Sequence, residues 1–468
     1  MDHARLLERA LLAVPPDDSY TADRVEGDVA RRLRGTFYLN GPARFVRGSL
    51  SYRHWLDGNG LLCAVRFDAR GVHVTHRFVR TVKTIQEETE GRPIFRAFGT
   101  AFAGDRLNRG IALESPANVS VVPFAGALLA CGEQGLPYAV DPITLETRGA
   151  FTFGDALTDI TPFAAHPKRD PATGELLNFG VSFSAAHPML NVYAFAPDAT
   201  LAWRRRVALD HPRAIHDFAV TGRHVLFYLS PYLLDARAIA EGGRTVMDAL
   251  SWRPDVGSRV LVLSRDTGQI VASIAVGACF CLHTINAFDD GADVALDVIE
   301  YERPIYEQYR DLPRLFPDVS SGRPIRFVID PHAGVIRERV PVDYSFAPDF
   351  PSADPALTGR AYREFWMLGI SATGQPGRKF FDELVRVDWR SPDRPNVYRL
   401  PRGRFFAGEP ALVTDAPGGR PLLLVPICDP ERGRSSIAVF DAHDLGEPVA
   451  SVELRHLLPP LFHSAFVA

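Results

Sequence analysis

Short apolar or alternating runs, broken at close intervals by turn residues, constrain this chain more than any other feature. VHVTHRFV (72–79), HVLFYL (224–229), RVLVLSR (259–265), IAVFDA (437–442) and ASVEL (450–454) are such runs. Between them lie DGNG, FAGDR, DPATGE, VTGR, RDTGQ, DDGAD and PGGR. Brief β-type segments bounded by Gly, Pro, Asn and Asp predict an all-β sandwich, barrel or propeller. The 37 glycines and 37 prolines fit a chain that turns often. DARAIAEGG and IYEQYRDL read as short helices in loops, and SIAVGACFCL (273–282) as a buried central strand.

No exact internal repeat is visible, and no linker rich in Pro or Ser divides the chain. The expectation is therefore one domain over residues 1–468. Residues 1–14 form its N-terminal amphipathic helix, with Leu6, Leu7, Ala10, Leu11 and Val14 on one stripe. That stripe caps the main body or, as a second reading, touches a membrane surface. With 46% hydrophobic and 23% charged residues, the chain can bury a large core. A net charge of -4 with scattered basic residues gives no electrostatic case for nucleic-acid binding. Five cysteines without CxxC spacing suit a reduced, cytosolic chain. The charged start lacks the apolar core of a secretory signal, and no run approaches a spanning helix. The expected location is cytoplasmic, at most peripheral on a membrane.

Four histidines stand in unlike settings: AAHPKRD at His166, IHDFAVTG at His216, LHTINAF at His283 and LFHSAF at His463. His463 lies five residues from the end, an odd place for an apolar string unless the tail is pulled into the body. Imidazole is the commonest metal ligand, so the four suggest a metal held by histidines alone. Their intervals of 50, 67 and 180 residues suit one histidine per blade of a propeller, since four-stranded blades take roughly 40–50 residues. All-nitrogen ligation suits iron, copper, nickel or zinc and does not choose among them. Each imidazole also needs its other nitrogen oriented, usually by a carboxylate or carbonyl.

The wider context resembles the carotenoid cleavage oxygenase family over nearly the whole chain. RGTFYLNGPARF (34–45), YRHWLDGNGLL (52–62), RFVRT (77–81), ANVSVV (117–122) and GEQGLPYAVDP (132–142) stand in the family's order. AHPKRDPATGELLNFG (165–180), HDFAVTGRHVLF (216–227), FCLHTINAFDDG (280–291), AVFDAHDLGEPVAS (438–451) and the terminal FHSAF follow. The resemblance implies a seven-bladed β-propeller with a helical and loop cap over one face. It implies Fe(II) on the axis held by His166, His216, His283 and His463. It also implies a small apolar polyene and O₂ as partners, with one C=C bond cut into two carbonyl products.

The same resemblance places three glutamates behind three of the histidines. Glu133 matches the first. Asp349 stands at the second, where the shorter side chain is expected to reach an imidazole only through a backbone shift or a bridging water. At the third, in GEPALVTDAPGG, only Asp415 is left nearby. Such losses commonly cost about 10–100-fold in metal affinity or activity. Phe163, Phe179, Phe218 and Phe280 are the candidate tunnel lining. Stilbene-cleaving relatives carry a lysine before the first glutamate; here that position is Gly132, which favours an apocarotenoid or carotenoid. Cleavage of a stilbene or other aryl-alkene, and a propeller that binds carotenoid or retinoid without cutting it, stand as alternatives. SPYLLDARAIA (230–240) and the loop from Asp311 to Ser320 are candidates for membrane contact or for packing inside long loops.

Overall fold

The runs bracketed by turn residues become strands, and the strands assemble radially. In this computed structural model residues 3–468 are described, except 29–32, 111, 134, 183–186 and 417. Seven antiparallel sheets form the blades of a β-propeller. Blades two to six each take four strands in chain order, inner to outer in blades three to six; in blade four a separate hairpin, Tyr232–Leu234 with Leu250–Trp252, intervenes between the second and third strands. In blade five the four are Phe280–Asp290, Asp293–Tyr301, Gly322–Asp330 and Val335–Pro341. Asp293–Tyr301 is buried almost throughout, Gly322–Asp330 alternates between buried and partly exposed residues, and VIRERVP at the rim is largely exposed. A strand sandwiched between two blades is buried on both faces, and exposure grows towards the rim.

The ring closes at two places where the chain's ends cross over. Arg24–Glu26 joins blade seven beside Ala450–Glu453, Arg434–Asp441 and Leu422–Asp429. The terminal strand His463–Val467 joins blade one, pairing Thr36 with Val467 through to Asn40 with His463. Gly41 permits this closure, because a Cβ there would lie 2.5 Å from the Leu461 Cα. The tail is thus a structural strand, as the apolar setting of His463 predicted.

SIAVGACFCL is not one strand. Ile270–Gly277 is the half-exposed rim of blade four, and Phe280–Asp290 starts the next blade at its inner edge. Gly277, at φ 100°, turns the chain between them. The apolar run reflects two successive strands of different depth, which composition alone merges.

Over one face lie helix α1 (His3–Leu11), helix α2 (Val82–Glu90) and the loops around 94–116, 232–252 and 302–321. Leu6, Leu7, Ala10 and Leu11 are buried, and His3 meets Phe405 edge-on at 5.2 Å. The apolar stripe of α1 is therefore occupied by the body of the protein. Helix α2 was not legible as a separate element; Thr81 caps its start and Gly91, in the left-handed region, ends it. The two loops considered for membrane contact turn their apolar side chains inward, with Leu315 and Phe316 at 0% and 1% exposure and Tyr232 and Leu234 buried. Packing accounts for them. Among the described residues no helix is long and apolar enough to cross a membrane.

Candidate metal centre

His166, His216, His283 and His463 converge at the axis. Their donor nitrogens all lie within 4.8 Å of one another, and the rings meet edge to face. His166 lies just before the inner strand Lys168–Arg169 of blade three, His216 just before Ala219–Val220 of blade four, and His283 within the inner strand of blade five. His463 begins the terminal strand in blade one. The four come from four blades, so the ring itself sets their separation.

Hydrogen bonds fix each segment. Asn40 donates from Nδ2 to the Ala117 and Ser120 carbonyls at 3.0 and 2.8 Å, and the Phe462 amide donates to the Asn40 carbonyl at 2.9 Å. The Ser120 hydroxyl donates to the carbonyl of Ala165, beside His166. Asp217 ties three segments together. Its Oδ1 lies 2.8 Å from the Lys168 ammonium, and its Oδ2 accepts from the Thr284 amide and hydroxyl, each at 2.9 Å. This hub was missed, although an acid next to His216 in the HDF run was the available signal.

Three carboxylates back three imidazoles. The Nδ1 of His216 lies 2.7 Å from Glu133 Oε2 and 3.0 Å from Oε1, with hydrogen-bond geometry satisfied at Oε1. Tyr306 donates its hydroxyl to the same Oε1 at 3.2 Å. His283 Nδ1 lies 2.5 Å from Asp349 Oδ1, and Tyr309 donates to Asp349 Oδ2 at 3.2 Å. Asp349 thus reaches its imidazole directly, without a bridging water. The neighbouring backbone makes up the missing methylene: Ala347 and Phe350 are both left-handed (φ 44° and 53°), and the ladder shifts register just past Asp349.

The third carboxylate is Glu409, not Asp415. Glu409 Oε1 lies 3.3 Å from His463 Nδ1, and Oε2 accepts from the Ser464 amide at 2.9 Å. Asp415 is exposed in the following turn. The signal was the glutamate of GEP itself, whose amide donates to the Phe462 carbonyl at 2.8 Å.

The donor set fits a divalent metal. His283 Nε2 is buried without a hydrogen-bond partner among the described residues, an orphan that a cation relieves. His166 and His216 approach at 2.9 Å between Nε2 atoms. Two nitrogens bound at about 2.1 Å and at a right angle to one metal are about 3.0 Å apart. Burial, reinforced by the charges of the other three histidines, holds His166 well below the usual imidazole range. Burial also lowers His463, against the pull of Glu409. For His283 burial opposes protonation, but Asp349 outweighs it and the net direction is upward.

A family model described as retinal pigment epithelial membrane protein matches residues 14–468. The chain belongs to that family, the carotenoid oxygenases. Among these carotenoid oxygenases, the apocarotenoid-15,15'-oxygenase of Synechocystis sp. is 30% identical over 475 residues, covering 98% of this chain and 95% of that protein. An isoeugenol monooxygenase of Pseudomonas putida is 28% identical over 456 residues, 94% and 93% of the two chains. The solved structure of the cobalt-substituted Synechocystis enzyme is similar at a TM-score of 0.89 and 28% identity, covering 99% of this chain and 98% of that one.

A narrow cavity of about 50 Å³ is lined by Phe98, Phe163, Leu234, Val246, Phe280 and Tyr306, among others, and by Glu133 and His216 of the metal centre. Of the predicted carotenoid-oxygenase tunnel residues, Phe163 and Phe280 line it. Phe179 and Phe218 do not: they pack on each other at 5.2 Å within the core between blades three and four. Both faces of an inner strand are apolar in a propeller, so hydrophobicity could not tell the two groups apart. Phe98, Leu234, Val246 and Tyr306 come from the cap and carry no periodic signal.

Proposed function

We propose that the protein is a non-haem iron(II) dioxygenase that cleaves one C=C bond of an apocarotenoid or carotenoid into two carbonyl products. One observation carries this reading: four imidazoles converge, three of them backed by carboxylates, and one of the four, His216, lines an apolar cavity together with Glu133. The kinship with the apocarotenoid oxygenase of Synechocystis supports it.

His166, His216, His283 and His463 would hold the iron through their Nε2 atoms. Bound Fe(II) supplies the redox chemistry that lets O₂ react with an alkene, which zinc cannot. The chain's own residues do the remainder. Glu133, Asp349 and Glu409 accept from the Nδ1 side, fix the tautomers and aim each free lone pair inward. Their negative charges offset the +2 that four neutral ligands leave uncompensated. Tyr306 and Tyr309 hold two of those carboxylates against rotation. Phe98, Phe163, Phe280 and the cap aliphatics exclude water and hold the alkene in place beside the centre.

The carboxylate set is complete in kind, so the argument for a binder without catalysis loses its ground. A second reading, cleavage of an aryl-alkene, draws on the isoeugenol monooxygenase and on the Tyr306 hydroxyl at the cavity. Against it, position 132 is Gly and not a phenol-binding lysine, and a Cβ there would lie 2.5 Å from Ser115 Oγ, which would have to turn away. Aerobic incubation of iron-loaded protein with all-trans apocarotenals, isoeugenol and a hydroxystilbene, with products identified by mass, tests the choice. Aldehydes from the apocarotenals alone are expected. Turnover of only the phenolic substrates would reverse the assignment, and pigment bound unchanged in air would restore the binder.

A further inference from the structure

A second set of metal-type donors gathers far from the axis, at the seam where the ring closes. Asp18 lies on the outermost strand of blade one, directly across from His76 on its neighbour, so both side chains share one face of the sheet. His456 follows the strand Ala450–Glu453 of blade seven and approaches from the other side of the seam. Its Nε2 lies 2.8 Å from Asp18 Oδ2. The His76 and His456 rings meet edge to face at 5.0 Å, and one donor atom from each of the three residues lies within 4.8 Å of the others.

His76 is what makes this cluster unusual. It is fully buried, yet neither ring nitrogen has a hydrogen-bond partner among the described residues. The Pro16 carbonyl is close enough to act on its charge but does not meet hydrogen-bond geometry. A buried imidazole with at least one idle nitrogen calls for a missing partner. The neighbours do not supply it. The Tyr20 hydroxyl accepts from the Arg455 amide at 2.9 Å, and the Arg455 guanidinium is held by Asp23 at 2.8 Å.

We propose that Asp18, His76 and His456 form a second divalent-metal site, of the zinc class, that pins the N-terminal strand to the C-terminal segment at the ring closure. Two imidazoles and one carboxylate, with a remaining position for water, are donors that zinc accepts readily. Burial, then the charge of His456, lowers His76 to about 4, so this ring is already in its neutral, ligating form at pH 7. Donors sharing a metal at about 2.0–2.2 Å are at most about 4.4 Å apart, close to the bound of 4.8 Å on this cluster. Asp18 and His456, with side chains 32% and 28% exposed, are free to turn while His76 stays fixed. The ion would add its binding free energy to closure of the propeller.

The test uses full-length protein stripped by a chelator, given Zn²⁺ alone, desalted and analysed for zinc per chain. One equivalent should depend on His456 and Asp18 and survive in His283→Ala. It should vanish in His456→Ala and Asp18→Asn, with at least a tenfold weaker zinc affinity. Zinc should also raise the thermal midpoint of His283→Ala, and this rise should be lost on adding His456→Ala. His456 is partly exposed and outside the candidate catalytic centre, so iron-dependent turnover of His456→Ala should stay unchanged and report correct folding. Zinc content that falls only with His283→Ala, or identical zinc content and midpoints with and without His456, would overturn the proposal. Failure of the axial iron assignment would leave the His456-dependent equivalent in place, so the two readings separate.

Discussion

Replacing Glu409 by alanine tests the reading of the candidate centre most directly, because sequence resemblance pointed to Asp415 instead. Glu409 makes two contacts, to His463 Nδ1 at 3.3 Å and to the Ser464 amide at 2.9 Å. Loss of a carboxylate behind a metal-binding histidine costs about 10–100-fold in metal affinity, or about 1.4–2.7 kcal/mol. Its contact with the ring is longer than the 2.7 Å at His216 or the 2.5 Å at His283. The effect should therefore sit at the low end, about tenfold. Losing the partner of the Ser464 amide should remove about a further 1 kcal/mol of stability.

Competition titration with a chromophoric Fe(II) chelator reads the affinity, and urea unfolding of the metal-free protein reads the stability. Glu409→Gln should restore most of the stability, since its carbonyl still accepts from Ser464, but only part of the affinity. Asp415→Ala should match the parent in both assays. An Asp415→Ala protein that loses iron, or a Glu409→Ala protein that binds it at parental strength, would refute the assignment.

Three further outcomes follow from the same geometry. Asp349→Glu, which restores the residue usual in the family, should weaken iron binding by about tenfold or more in the same titration. The carboxylate already lies 2.5 Å from His283, held between left-handed Ala347 and Phe350, and an added methylene would displace it. Asp217→Ala should cost about 3–5 kcal/mol in urea unfolding and yield iron-poor protein, because it strands Lys168 and the Thr284 amide. His54 is held neutral, its Nδ1 accepting from the Leu56 amide and its Nε2 meeting the Tyr306 carbonyl, and burial lowers it to about 3. Its folded value lies below the unfolded value of about 6.5, so its contribution is complete above that pH and is lost as pH falls towards 3. Between pH 7 and pH 5 the loss is about 2 kcal/mol, and the pH difference measured by urea unfolding should shrink by that amount in His54→Gln.

The strands were legible because their turns are: Gly, Asp and Asn clusters mark where a blade reverses, and the local rule holds whatever the strand packs against. The histidine quartet was legible through its flanking motifs. Three features were not, for distinct reasons. The reach of Asp349 rests on positive φ at Ala347 and Phe350, and neither residue type advertises that conformation. The pairing of Glu409 with His463 arises because residue 409 bonds to the backbone beside His463, a contact between residues 53 positions apart that no local spacing encodes. The division of phenylalanines between cavity and core depends on which face of a strand looks towards the cap, and in a propeller both faces are apolar.

Ring topology also sets the order in which the four histidines can meet. His166, His216 and His283 sit on consecutive blades and are linked through Asp217, so that side of the centre can assemble locally. His463 belongs to a strand whose partner is Gly35–Ala43, more than 400 residues earlier, and it joins the others only once the seventh blade has returned to the first. Binding at four nitrogens therefore requires a closed ring, and whatever binds there stabilises closure in turn by mass action. The seam cluster of Asp18, His76 and His456 lies along the same closure. Each group of metal-type donors thus draws on a closing segment: His463 at the axis, and Asp18 with His456 at the seam.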